Sequence, residues 1–129
     1  MANPQPEEIQ GYPAGDIHYQ FRKKLSNADI NDGLPLVGDA VTILSNFNEQ
    51  INTRLYTPYC NHEVTLTQAH STSTYTLTGK GWKDIAANDG LVEGLEVDFW
   101  AVTAANSNQL CLLMQVIPMK KIIYAHEED

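Results

Sequence analysis

Short runs of alternating apolar and polar residues dominate this chain, and they limit what it can fold into. Ile17, Tyr19 and Phe21 alternate with polar neighbours, as do Val64 and Leu66, Tyr75 and Leu77, and Leu95, Val97 and Phe99. Period two is the signature of a strand that buries one face. Three further runs, Val41 to Leu44, Leu110 to Ile117 and Ile122 to Tyr124, are more continuously apolar and β-branched, as strands covered on both faces or closing a barrel are. Together they predict about seven strands.

Two segments break the strand pattern. Ser26 to Asn31 offers Ser26 or Asn27 as an N-cap, Asp29 near the positive helix end, and Gly33 followed by Pro35 as a stop. Gly81 to Asn88 sets Trp82, Ile85 and Ala86 on one helical face, and Asn88, Asp89 and Gly90 supply the chemistry that ends a helix. Helices are therefore expected near residues 27 to 32 and 81 to 89. These elements do not alternate as βαβ units, which favours a mostly antiparallel barrel or sandwich. Its core should hold Leu77, Trp82, Leu91, Val97 and Phe99.

A chain of 129 residues has room for one domain. Residues 1–13, with Pro4, Pro6, Pro13, Glu7 and Glu8, carry too few apolar groups to offset chain entropy and read as a flexible lead-in. Residues 14–125 are expected to form the domain, and residues 126–129 an acidic tail. No period of a solenoid or propeller repeats. The apolar runs fall short of a membrane span, and no charged-then-apolar leader opens the sequence. With two cysteines, Cys60 and Cys111, the expectation is a soluble chain in a reducing, intracellular compartment with both thiols free.

No constellation in the sequence proposes an enzyme. Gly79-Lys80-Gly81 sits between a strand and a helix, yet Asp84 stands where a dinucleotide fingerprint needs its third glycine, and no Lys-Ser/Thr pair follows as in a P-loop. A tight turn that seats Trp82 in the core is the better reading. Cys60, His62 and Glu63 are close together, but no second Cys or His pair completes a four-ligand metal set. His18, His70 and His126 have no nucleophile motif beside them. No cofactor and no metal is expected.

The charge balance is acidic, with 16 Asp plus Glu against eight Lys plus Arg and a formal charge of -8. Basic residues form three small clusters: Arg22, Lys23 and Lys24; Lys80 and Lys83; Lys120 and Lys121, with Arg54 alone. If the fold brings two clusters onto one surface they can hold phosphates. Otherwise they are solvated strand edges, where lysine discourages edge-to-edge pairing.

The segment from Phe21 to Ile30, Phe-Arg-Lys-Lys-Leu-Ser-Asn-Ala-Asp-Ile, resembles the "F-x-K-x-L-x-x-S-D-V" opening of the plant B3 DNA-binding domain. Tyr75-Thr76-Leu77-Thr78-Gly79-Lys80-Gly81-Trp82 resembles that family's "Y-V-L-T-x-G-W". Asn88 to Gly94 and Val97-Asp98-Phe99 resemble its "N-x-L-x-x-G-D" and "V-x-F", and Leu110-Cys111-Leu112 is similar to the "L-C-F" of divergent branches. The order and spacing match over residues 17 to 118.

The resemblance implies a seven-stranded open pseudobarrel with two short helices, and a nuclear regulator of plant transcription that grips the major groove of double-stranded DNA between two loop arms. Carried onto this chain, it implies phosphate contacts from Lys23, Lys24 and Lys80, and base-edge contacts from Asn31 in the first arm and His70, Ser71, Thr72 and Ser73 in the second. The departures are pointed. The first arm, Asn31 to Ala40, has no cation and adds acids, the second offers hydrogen-bonding groups without charge, and Leu95 replaces the usual Asp after Gly94. DNA affinity comes chiefly from cations at phosphates, so the competing expectation is a pseudobarrel that has lost its DNA face and serves as a protein-interaction or dimerisation module.

Overall fold

The computed structural model describes residues 5–36, 50–68, 75–104 and 110–117. In chain order these form β1 (Gly15–Lys24), α1 (Asn27–Asn31), β2 (Leu34–Pro35), β3 (Gln50–Tyr56), β4 (Asn61–Gln68), β5 (Tyr75–Thr78), α2 (Gly79–Asn88), β6 (Glu96–Ala104) and β7 (Leu110–Val116). The seven strands make one curled sheet in the order β1-β6-β7-β3-β4-β5-β2. All neighbours are antiparallel except β3 and β7, which pair in parallel at Leu55 with Leu112 and Tyr56 with Leu113. A Thr53 hydroxyl that donates to the Leu110 carbonyl reinforces this join. The described residues make the expected mostly β pseudobarrel with two helices.

The strands are not all the expected ones. Val41 to Leu44 and Ile122 to Tyr124 lie outside the described residues. In the observed sheet, β2 and β3 take two of the seven places. β2 is only two residues long, too short for periodicity to reveal, and it falls within the Gly33 to Pro35 stretch that reads as a helix stop. β3 reads Gln-Ile-Asn-Thr-Arg-Leu-Tyr, an alternation carried by Ile51, Thr53 and Leu55 in which a threonine takes an apolar place.

The concave side holds the main core: Phe21, Leu25, Leu34, Leu55, Leu66, Leu77, Val97, Phe99, Leu112 and Met114 pack with Trp82, Ile85 and Leu91 from α2 and its exit. Leu77, Trp82, Leu91, Val97 and Phe99 are buried as expected. α2 lies on β4, and Gly81 makes that seat possible, because a Cβ there would fall inside the Glu63 carbonyl. The Gly79-Lys80-Gly81 turn therefore seats a helix.

β1 changes face in mid-strand. Ile17, Tyr19 and Phe21 would share one face in a regular strand, but a bulge between Tyr19 and Phe21 inserts Gln20 and reverses the phase. Phe21 stacks on Phe99 in the main core with centroids 4.9 Å apart. Tyr19 meets the edge of Trp100 on the convex side at 6.0 Å. There Trp100, Val102, Cys111 and Leu113 form a second core closed by Ile9, with Tyr12, Tyr19 and Tyr56 around it. The expectation that residues 1–13 lie outside the core meets a physical exception at Ile9, which is only 4% exposed.

Candidate nucleic-acid interface

Four described residues that border stretches outside the described ones lie together at one end of the sheet. Gln68 opposes Tyr75, Gln50 opposes Thr67 and Pro35 opposes Thr76, while the Leu36 N–H donates to the Tyr75 carbonyl at 2.8 Å. Leu36, Gln50, Gln68 and Tyr75, the described residues on either side of 37–49 and 69–74, thus lie beside one another. His70, Ser71, Thr72 and Ser73 lie outside the described residues, as does the stretch 37–49.

Four expected site residues are described. Lys23 and Lys24 close β1, Asn31 ends α1, and Lys80 lies in the first turn of α2. α1 and α2 meet at a corner. The Trp82 indole N–H donates to the Asp29 carbonyl at 2.9 Å. Gly33, just past α1, approaches Thr78, the N-cap of α2, so closely that a Cβ would lie 3.0 Å from the Thr78 methyl. Lys23, Asn31 and Lys80 belong to elements that converge here. Asn31 is exposed in the last turn of a helix rather than in a loop arm.

Asp29 ties the corner together. Its Oδ1 receives the Lys23 ammonium at 2.9 Å and its Oδ2 the Ser26 backbone N–H at 2.8 Å, while its own N–H donates to Ser26 Oγ at 3.2 Å. This is a reciprocal capping box that orders the five-residue helix. Burial pushes the Asp29 carboxyl up, but the bonds from Lys23 and Ser26 outweigh it and hold it below its ordinary 3.8. Lys23 therefore neutralises a carboxylate that is only 5% exposed.

The other cations divide in the same way. Arg22 grips Asp98 through Nε at 3.0 Å and Nη2 at 3.1 Å, and Tyr19 donates its hydroxyl to the same carboxylate at 2.8 Å. Burial and that bond push the Tyr19 phenol up to about 12. Lys80 pairs with Asp84 one helical turn on, at 2.9 Å, with side chains 86% and 40% exposed. Lys24 stands opposite Glu96 on an exposed face, and neither it nor exposed Lys83 has an ion pair among the described residues. That Asp29, Asp84 and Asp98 neutralise these cations is not apparent from the sequence. Only the Lys80 and Asp84 pair has a local signal, a spacing of four in a helix that begins at Gly79.

Elsewhere the chemistry is bland. Among the described residues no three metal-ligating side chains come together. Both cysteines are free thiols. Burial pushes Cys60 up beside Asp89, and pushes Cys111 up to about 11. No helix among the described residues is long and apolar enough to cross a membrane.

No protein-family model matches the sequence, and no curated protein matches it. Among solved structures, the chain is similar to the protein of an Arabidopsis FUS3–DNA complex, with a TM-score of 0.50 and 15% sequence identity over 78% of this chain and 98% of that one. At that identity the likeness is one of fold.

Proposed function

We propose that the chain is a divergent, acidic B3-type protein that binds double-stranded DNA and acts in the nucleus as a sequence-specific regulator of plant transcription. The observation that carries this reading is the likeness of its pseudobarrel to a protein solved in complex with DNA. The meeting of Leu36, Gln50, Gln68 and Tyr75 at one end of the sheet supports it, because arms joined at those positions would start side by side. In this reading residues 14–125 are the DNA-binding unit and residues 126–129 an acidic tail. Lys24 and Lys80 meet phosphates most readily, Lys23 contributes from its pair with Asp29, and Asn31, His70, Ser71, Thr72 and Ser73 reach base edges. The function involves no catalysis, cofactor or membrane.

A second reading is favoured by the ion pairs. Arg22, Lys23 and Lys80 already hold carboxylates of the same chain, which suits a pseudobarrel that serves as a protein-interaction or dimerisation module. Selection from a randomised duplex pool at low and moderate salt, with scrambled competitor, separates the two. DNA binding predicts enrichment of a shared motif that survives competitor. The module reading predicts no enrichment even at low ionic strength, where long-range attraction is strongest.

A further inference from the structure

The convex face of the sheet is covered by residues from the start of the described chain. Residues 5–14 add no strand to it. They lie across it as a peptide, with Ile9 buried over Trp100, Val102, Cys111 and Leu113. The Tyr12 ring meets Tyr56 edge-on at 6.3 Å, Pro6 is buried, and the Glu8 N–H donates to Gln115 Oε1 at 3.3 Å. Glu7 and Glu8 stay exposed.

We propose that this face is a peptide-docking site which the chain fills with its own residues 5–12, and that the partner it takes in their place is a short peptide with the same chemistry. That chemistry is one aliphatic anchor for the Trp100 pocket, an acidic, proline-containing flank before it, and an aromatic ring three residues after it.

The covering segment is separable from the rest. Its anchor belongs to a cluster distinct from the main core, and its composition cannot fold alone. Burying one isoleucine shifts an equilibrium by roughly ten- to a hundredfold, so the closed state dominates while the open state stays accessible. A tethered segment competes at an effective concentration in the millimolar range. A partner in trans therefore gains access when the Ile9 anchor is weakened or its own contacts are better.

The test uses the full chain and follows modification of the Cys111 thiol, which lies under the segment. Ile9→Ala should raise the Cys111 modification rate about tenfold or more, while amide exchange in α2 and β4 stays unchanged. A synthetic peptide of residues 5–13 at millimolar concentration should return the rate towards that of the parent chain, and the same peptide with alanine for isoleucine should not. An unchanged rate in Ile9→Ala would overturn the proposal. So would a rise that is matched by faster exchange in α2, since the segment would then belong to one cooperative fold. Failure of the peptide to protect Cys111 would also overturn it, because the contact would then need the covalent tether.

Discussion

Lys23 and Lys80 each place an ammonium 2.9 Å from an aspartate, yet the two pairs do different work. Lys23 answers a nearly buried carboxylate whose other oxygen and backbone carbonyl are bonded to Ser26 and Trp82. Removing it leaves a charge inside the corner without its main partner, which is costly. Lys80 and Asp84 sit on an exposed helix surface, where such pairs contribute little and yield to salt. The same contact distance thus marks a structural cation in one place and an available one in the other. For a chain with few cations, that difference decides which of them a phosphate can claim.

The largest effect is expected where α2, which carries Lys80, sits on β4. Gly81→Ala drives a methyl into the Glu63 carbonyl and should lower stability by about 3 kcal/mol or more, measured by urea unfolding. A loss below about 1 kcal/mol would mean that α2 is not held on β4 as described.

Lys23→Ala comes next. It should cost about 2 kcal/mol, the range for stranding a buried polar group, so any loss of DNA binding in this variant must be read beside its melting curve. The acid limb sharpens the point. Because the folded-state pKa of Asp29 is depressed, its contribution is full above the ordinary carboxylate value of 3.8 and is lost as pH falls through the lower folded value. Urea unfolding between pH 6 and pH 2, which spans about the ordinary carboxylate range, should show that slope, and Asp29→Asn should flatten it. An unchanged acid limb in Asp29→Asn would contradict the assignment.

Lys80→Ala should have the smallest effect on the fold, under about 0.5 kcal/mol, yet it should weaken binding to every duplex alike and reduce the salt slope by about 0.9. If it unfolds the protein, or changes the preference among sequences, Lys80 is not the available phosphate contact described here.

Much of this architecture was legible in the sequence for physical reasons. Trp82, Ile85 and Ala86 recur at helical spacing and are buried together in α2, and Ser26 with Asp29 announces a capped helix. Local signals of this kind depend on neighbours a few residues away. The face change in β1 was not legible, because a bulge at Gln20 leaves the alternation of Ile17, Tyr19 and Phe21 looking regular. Nor was the Arg22–Asp98 pair, which joins residues brought opposite each other only by the β1–β6 register. Ile9 was hidden differently: one aliphatic residue among prolines and glutamates gives no periodicity, although the sheet supplies the pocket for it. The cations were easy to find, but what each one neutralises is a property of the fold.

The most direct test of the central claim is the affinity for a pool-selected duplex measured across a salt series. Weak, sequence-selective binding is expected, with a shallow slope of about -0.9 for each of roughly three phosphates, because three of the six described cations already hold carboxylates. Absence of binding to any duplex at low ionic strength would contradict it.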